Sequence, residues 1–198
     1  MVDFSQKTIL FGGSFDPIHL GHLYVVECLK KSFPHVSQIL LVPANQSPGK
    51  LAPKASGTLR TQWINSCELS TWNYELQKDG ASFTVELLRE AHRLGAKTED
   101  LYFVIGGDAY QHFSQWKEPE QIRRQAQLIV VSRPGNLLSS QDPRDLLISV
   151  PGHEASSTRV REALAKGMVP VELLTPPVAE ILNNLILQSQ NPYAMQKV

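Results

Sequence analysis

The stretch Thr8–Phe33, TILFGGSFDPIHLGHLYVVECLKKSF, decides the fold. Its apolar run Ile9 to Phe11 predicts a buried strand. Gly12, Gly13 and Ser14 then break the strand with a tight turn poor in side chains. Pro17 blocks an early helix and biases Asp16 towards extended backbone. From about Leu20, the apolar residues Leu23, Val26, Leu29 and Phe33 recur three or four apart and predict a helix with one buried face. A strand, a glycine turn and a helix N-terminus in that order make a site for phosphate. The glycines let backbone N–H groups approach an anion, and the first helical turn adds unpaired donors and a partial positive charge. His19 and His22 stand at this helix start, and their spacing puts both rings on one face of the first turn. They could be a metal pair, ordinary surface histidines or donors to phosphate oxygens; the glycine turn just upstream favours the donors.

Outward from this stretch, the chain has 198 residues, enough for one well-buried α/β domain spanning 1–198 and too few for two full ones. Nineteen acidic and nineteen basic residues cancel, which argues against a nucleic-acid or membrane binder, since both need a concentrated positive field. Cys28 and Cys67 are far apart, without metal-ligand spacing, and suggest no disulfide scaffold. With no signal-like apolar core in MVDFSQK and no membrane-length apolar stretch, a cytoplasmic protein is expected. A homo-oligomer is compatible with the composition.

Further apolar runs at Gln38–Val42, Leu101–Ile105, Leu128–Val131 and Leu146–Val150 lack alternation, as strands covered on both faces do. With helical segments between them, they predict an α/β fold: a Rossmann-like open parallel sheet of about five strands with helices on both faces. Helices are expected at Thr58–Trp72, from about Thr84, from Glu118, from the Ser156–Thr158 region and over Pro170–Leu187, the part from about 152 to 190 packing on the sheet domain. Thr84 is a candidate N-cap. PANQSPGKLAPKASG, residues 43–57, is longer than a connection requires and is either a binding loop or a surface excursion. Gly106-Gly107-Asp108 is a second glycine turn at a strand end, on the sheet edge where ligands bind. Trp116 is either a core plug or a stacking platform. HEASSTRVREAL, from His153, offers a second anion cradle in Ser156, Ser157 and Thr158, with Arg159 and Arg161 as cations.

GGSFDPIHLGH and SSTRVR resemble the HxGH and SSTxxR signatures of the nucleotidyltransferases, and among these the chain is similar to the bacterial nicotinate-nucleotide adenylyltransferases over nearly its whole length. Loop 43–57 keeps the prolines Pro43 and Pro48 and the lysine Lys50 of that family's loop, with Gly49 where a histidine is usual; SFTVELL has Phe83 for a tyrosine and Leu87 for a threonine. The resemblance implies transfer of the adenylyl group of ATP to nicotinate mononucleotide, giving nicotinate adenine dinucleotide and pyrophosphate in NAD biosynthesis. It implies catalytic roles for His19, His22 and Arg161. ATP contacts are implied for Gly12, Gly13, Ser14, Phe15, His19, His22, Gly106, Asp108, Arg133, Ser156, Ser157, Thr158 and Arg161. Mononucleotide contacts are implied for Asn45, Lys50, Thr84 and Trp116.

The nucleophile in such a reaction is a substrate phosphate, already anionic at pH 7, so alignment and charge neutralisation replace a general base. Mg²⁺ is expected to arrive with the triphosphate, since no carboxylate cage stands out in the sequence. The alternatives are a phosphopantetheine adenylyltransferase-like enzyme, which shares both motifs, and a non-catalytic ATP-binding sensor. A dinucleotide oxidoreductase is disfavoured because the first turn lacks G-x-G-x-x-G.

Overall fold

A computed structural model describes residues 2–49, 51–132, 140–152 and 154–194. Six parallel strands form one sheet: β1 (Thr8–Gly13), β2 (Gln38–Pro43), β3 (Ser70–Thr71), β4 (Leu101–Gly106), β5 (Gln127–Ser132) and β6 (Leu146–Ser149), in the order β3-β2-β1-β4-β5-β6. The order reverses between β1 and β4, and the ligand crevice of such sheets lies outside the strand C-termini at that switch.

Side chains alternate across the sheet, so each strand feeds two cores. Leu10, Leu40, Phe103, Ile105, Leu128 and Val130 face α3 (Thr84–Arg93) and α5 (Pro119–Gln125). Ile9, Tyr102, Val104 and Ile129 face the opposite way, against Leu29 and Phe33 of α1 (Leu20–Ser32) and its end. On that same face α2 (Gly57–Ser66), α6 (Ser157–Ala165) and α7 (Pro176–Leu187) pack through Trp63, Ile64, Val160, Leu164, Val178 and Leu182. Among the described residues, no helix is long and apolar enough to cross a membrane.

The structure corrects the sequence reading in five places. Gly12 and Gly13 do not break the first strand; β1 runs through both, paired with Val42 and Pro43 of β2. The helix expected over Thr58–Trp72 ends at Ser66, and Glu68 turns with φ 58° into β3, a sixth strand too short to show as an apolar run. Thr84 is not the N-cap of α3; Phe83 holds that position in extended backbone and Thr84 begins the helix. The Gly107-Asp108 turn is a four-residue helix, α4 (Gly107–Tyr110). The last helix begins at Pro176 rather than Pro170, with a short 3₁₀ turn at Val171–Leu173 before it. Proline at the first helical position of α7 is the expected start signal.

Candidate active site

β1 delivers the chain to the sheet edge at Gly13, where a Cβ would meet the Phe15 ring at 2.9 Å. Phe15 is buried, with a left-handed φ of 47°, so its backbone rather than its ring is available to a ligand. The chain then enters α1 with His19 as N-cap, 8% exposed. The His19 N–H donates to Nδ1 of His22 at 3.3 Å, and the two rings lie 3.8 Å apart. Burial, and then the charge of His19, push the pKa of His22 well below the ordinary histidine value. A neutral ring whose Nδ1 accepts must carry its proton on Nε2. His22 therefore has one neutral Nε2–H to donate, and its ring is held in place by Phe15 at 5.0 Å and Phe11 at 6.2 Å.

The second cradle comes to the first. Ser156 is the N-cap of α6 and accepts the Arg159 N–H. Ser157 Oγ donates to the Pro17 carbonyl at 3.1 Å. Arg161 donates to the Asp16 carbonyl at 2.7 Å and to Thr158 Oγ1 at 3.3 Å. Arg159 turns outward to Glu154 instead. The close approach depends on Gly21, the glycine of the His-x-Gly-His run, because a Cβ there would meet the Ala155 carbonyl and the His19 ring at 3.0 Å. The sequence reading missed Gly21; its signal was a glycine inside the first turn of a helix, where glycine is otherwise unfavourable.

Two buried charges behind the loops were also missed. Arg60, 2% exposed, donates to the carbonyls of Ser14, Ala44 and Ala55. It ties the end of β1 to the end of β2. The Asp16 carboxylate accepts from the backbone N–H groups of Lys54 and Ala55 and from the Tyr193 hydroxyl. No local pattern marks such residues, because their partners are distant in sequence.

On the other side of the crevice, Gly106 and Asp108 are exposed at the start of α4. Trp116 is half-buried, its ring 6.5 Å from Phe103 and 5.5 Å from Phe113, so one face is anchored while the residue keeps an exposed part. Its loop is fastened to α3 by Lys117–Glu86 at 2.7 Å and Glu118–Arg89 at 2.5 Å. Thr84, half-exposed, opens α3 beside that loop. The Asn45 side chain donates to the carbonyls of Lys78 and Gly80, and its N–H donates to Ser82. Asn45 thus spends its side-chain N–H groups on holding segment 78–82. Lys50 and Arg133 lie outside the described residues. Among the described residues no group of three metal-ligating side chains occurs.

The match to known proteins decides what this edge belongs to. The cytidylyltransferase-like family model fits residues 10–163, which hold both cradles. A Thermus thermophilus protein named probable nicotinate-nucleotide adenylyltransferase is 37% identical over 163 residues, covering 80% of this chain and 86% of the relative. This chain is a cytidylyltransferase-like nucleotidyltransferase, of the nicotinate-nucleotide adenylyltransferase group. A Clostridium perfringens relative of the same name is 30% identical over 195 residues, covering 90% and 96% of the two chains. The nicotinic acid mononucleotide adenylyltransferase of Plasmodium falciparum, solved with APC, superposes with a TM-score of 0.70 at 20% identity, over 97% of this chain and all of that one. That likeness carries the fold. The helix starts of α1 and α6, with their serines, histidines and Arg161, thus meet at one end of the sheet, and the Trp116 loop stands at the same end beyond β4.

Proposed function

We infer that this enzyme transfers the adenylyl group of Mg–ATP to the phosphate of nicotinate mononucleotide, releasing pyrophosphate and forming nicotinate adenine dinucleotide in NAD biosynthesis. The observation that supports this best is the meeting of the α1 and α6 helix starts, with Arg161 bound to the Asp16 carbonyl, in a chain whose named relatives are nicotinate-nucleotide adenylyltransferases. The acceptor phosphate attacks the α-phosphorus as the bond to the leaving pyrophosphate breaks. Both reacting groups are anionic, so bringing them together is the main barrier, and oriented donors lower it. In this reading the amides of Gly12, Gly13, Ser14 and Phe15, the Nε2–H of His22, and His19 line the phosphate path. The α6 start at Ser156, Ser157 and Thr158, with Arg161, receives the pyrophosphate. Gly106, Asp108 and Arg133 belong to the nucleoside end of ATP. Trp116 and the N–H groups near Thr84 receive the pyridine ring, and Lys50 is a further mononucleotide contact in this reading. Magnesium comes as part of the substrate, balancing phosphate charge.

Pyrophosphate release with ATP and a panel of acceptors tests the reading. Turnover with nicotinate mononucleotide and none with phosphopantetheine is expected. The reverse preference would make the enzyme a phosphopantetheine adenylyltransferase, and binding of ATP without turnover would make it a sensor.

A further inference from the structure

We propose that Tyr193 is a positioning residue for adenylyl transfer: from the C-terminal segment, its hydroxyl holds the Asp16 carboxylate and thereby sets both loop 43–57 and Arg161. The proposal rests on the adenylyl-transfer reading above and goes beyond it, since it assigns a role to a segment after the last helix.

Tyr193 is 1% exposed, and its hydroxyl donates to Asp16 Oδ1 at 2.5 Å across 177 residues of sequence. The segment bearing it is itself tied down: Asn191 donates to the Leu164 carbonyl at the end of α6, and its side-chain oxygen accepts the Tyr193 N–H. The same Asp16 oxygen accepts the Ala55 N–H at 3.1 Å, and the other accepts the Lys54 N–H at 2.9 Å. One carboxylate therefore joins the C-terminal segment to the loop that follows β2. The carbonyl of the same residue receives Arg161 at 2.7 Å. Holding the carboxylate restrains the Asp16 backbone, and a shift of that backbone would move the carbonyl that aims the guanidinium.

The bonds are of the strong kind. Hydrogen bonds to an ionised carboxylate in a dry site are stronger than neutral ones, and a lost donor leaves part of the charge unpaired. Burial and the adjacent Asp16 carboxylate push the pKa of Tyr193 up, so the phenol stays a donor across the working pH range. Arg60 lies behind the junction, holding Ser14, Ala44 and Ala55. It keeps the two loops together but does not touch the tyrosine hydroxyl in any of these bonds. Among the described residues, Tyr193 is the one whose side chain ties the C-terminal segment to the carboxylate of Asp16.

The chemistry separates ground-state binding from alignment. A guanidinium with a looser anchor still attracts the triphosphate, whereas the in-line geometry of transfer needs one orientation. Loosening the junction should therefore cost kcat more than the KM for ATP. It should also free loop 43–57.

The test is Tyr193→Phe, which keeps the buried ring and removes only the hydroxyl. The folded variant should lose about tenfold in kcat, with the KM for ATP within about twofold of the parent. Limited trypsin should cut after Lys50 or Lys54 several-fold faster in the variant, while other sites keep their rates. Asp16→Asn, which sets an amide donor against backbone donors, should reproduce the same split and serves if the first variant folds poorly. Parental kcat and parental nicking in folded Tyr193→Phe would overturn the proposal. So would a kcat loss accompanied by uniformly faster cleavage throughout the chain, which would mean general destabilisation. If the parent enzyme turned over no acceptor, the substrate reading would fail, and the nicking comparison would still decide whether Tyr193 fixes the loop.

Discussion

His22 acts as a neutral ring, and that shapes what can be expected of it. Its Nδ1 is occupied by the His19 N–H and its pKa is depressed, so in the proposed reading it would supply a directed hydrogen bond rather than a positive charge. In that reading, positive charge comes from Arg161 and from the magnesium that accompanies ATP. His22→Ala should lower kcat by about 10²–10³, the usual cost of one preorganised donor, with ATP binding weakened much less. Steady-state kinetics on both substrates measures this, and a near-parental kcat would exclude the role. A second residue carries an opposite shift. Glu75, 7% exposed, is pushed up to about 7 by burial, with the Ser82 hydroxyl and Lys78 opposing. A raised pKa means the folded state holds the proton more tightly. The stabilisation is fully present below the unfolded value of about 4.5 and is lost as pH rises through about 7. Glu75→Gln, a fixed mimic of the protonated acid, should therefore match the parent near pH 4.5 and exceed it by up to about 3 kcal/mol at pH 8. Urea unfolding at the two pH values decides this; a variant less stable at pH 8 would contradict it.

At the scale of elements, the site is a junction of two helix starts, α1 and α6, held apart by the width of one glycine. Gly21→Ala places a methyl 3.0 Å from the Ala155 carbonyl, a backbone atom that cannot swing aside like a side chain. The helix itself would gain from alanine, so an isolated-helix argument predicts stabilisation. Packing predicts the reverse: a loss of about 1–3 kcal/mol from overpacking, and a lower kcat because α6 carries Arg161 away from the loop at Asp16. Thermal unfolding and kcat together separate the two; a more stable, fully active Gly21→Ala enzyme would show that the helices need not approach this closely. The strap at Trp116 is an element of a different kind. Its two ion pairs to α3 are exposed and worth little energetically, but they restrict where the loop can sit.

For the molecule as a whole, the sheet edge divides the work. In the proposed reading, phosphate chemistry belongs between α1 and α6, and the pyridine side between α3 and the loop at Trp116. The Trp116 N–H is bonded to the Phe113 carbonyl, so in the proposed reading the backbone N–H donors at the α3 start near Thr84 suit an anionic ring carboxylate and oppose a carboxamide NH₂, leaving donors unpaired at about 1–3 kcal/mol each. A preference for nicotinate over nicotinamide mononucleotide on the order of 10²-fold is expected in kcat/KM. Trp116→Ala should raise the KM for the mononucleotide by about fivefold, from about 1 kcal/mol of stacking, and leave the KM for ATP unchanged. Equal use of both mononucleotides would remove the selectivity, and a defect confined to ATP would move Trp116 to the other half of the site.

The amino-acid sequence alone determined the β1–turn–α1 unit, five of the six strands and the hydroxyl-rich start of α6. These depend on signals within about ten residues of one another: apolar runs, glycine where side chains are excluded, hydroxyls at helix starts. Tertiary structure decided the rest. β3 exists because Leu40 and Leu41 offer Ser70 and Thr71 a ladder, not because two residues prefer to be extended. The need for Gly21, the buried charge of Arg60, the raised acid at Glu75 and the Asp16–Tyr193 bond are set by what the folded chain brings alongside. Burial and long-range hydrogen bonds depend on the path of the whole chain, and no local window of sequence contains them.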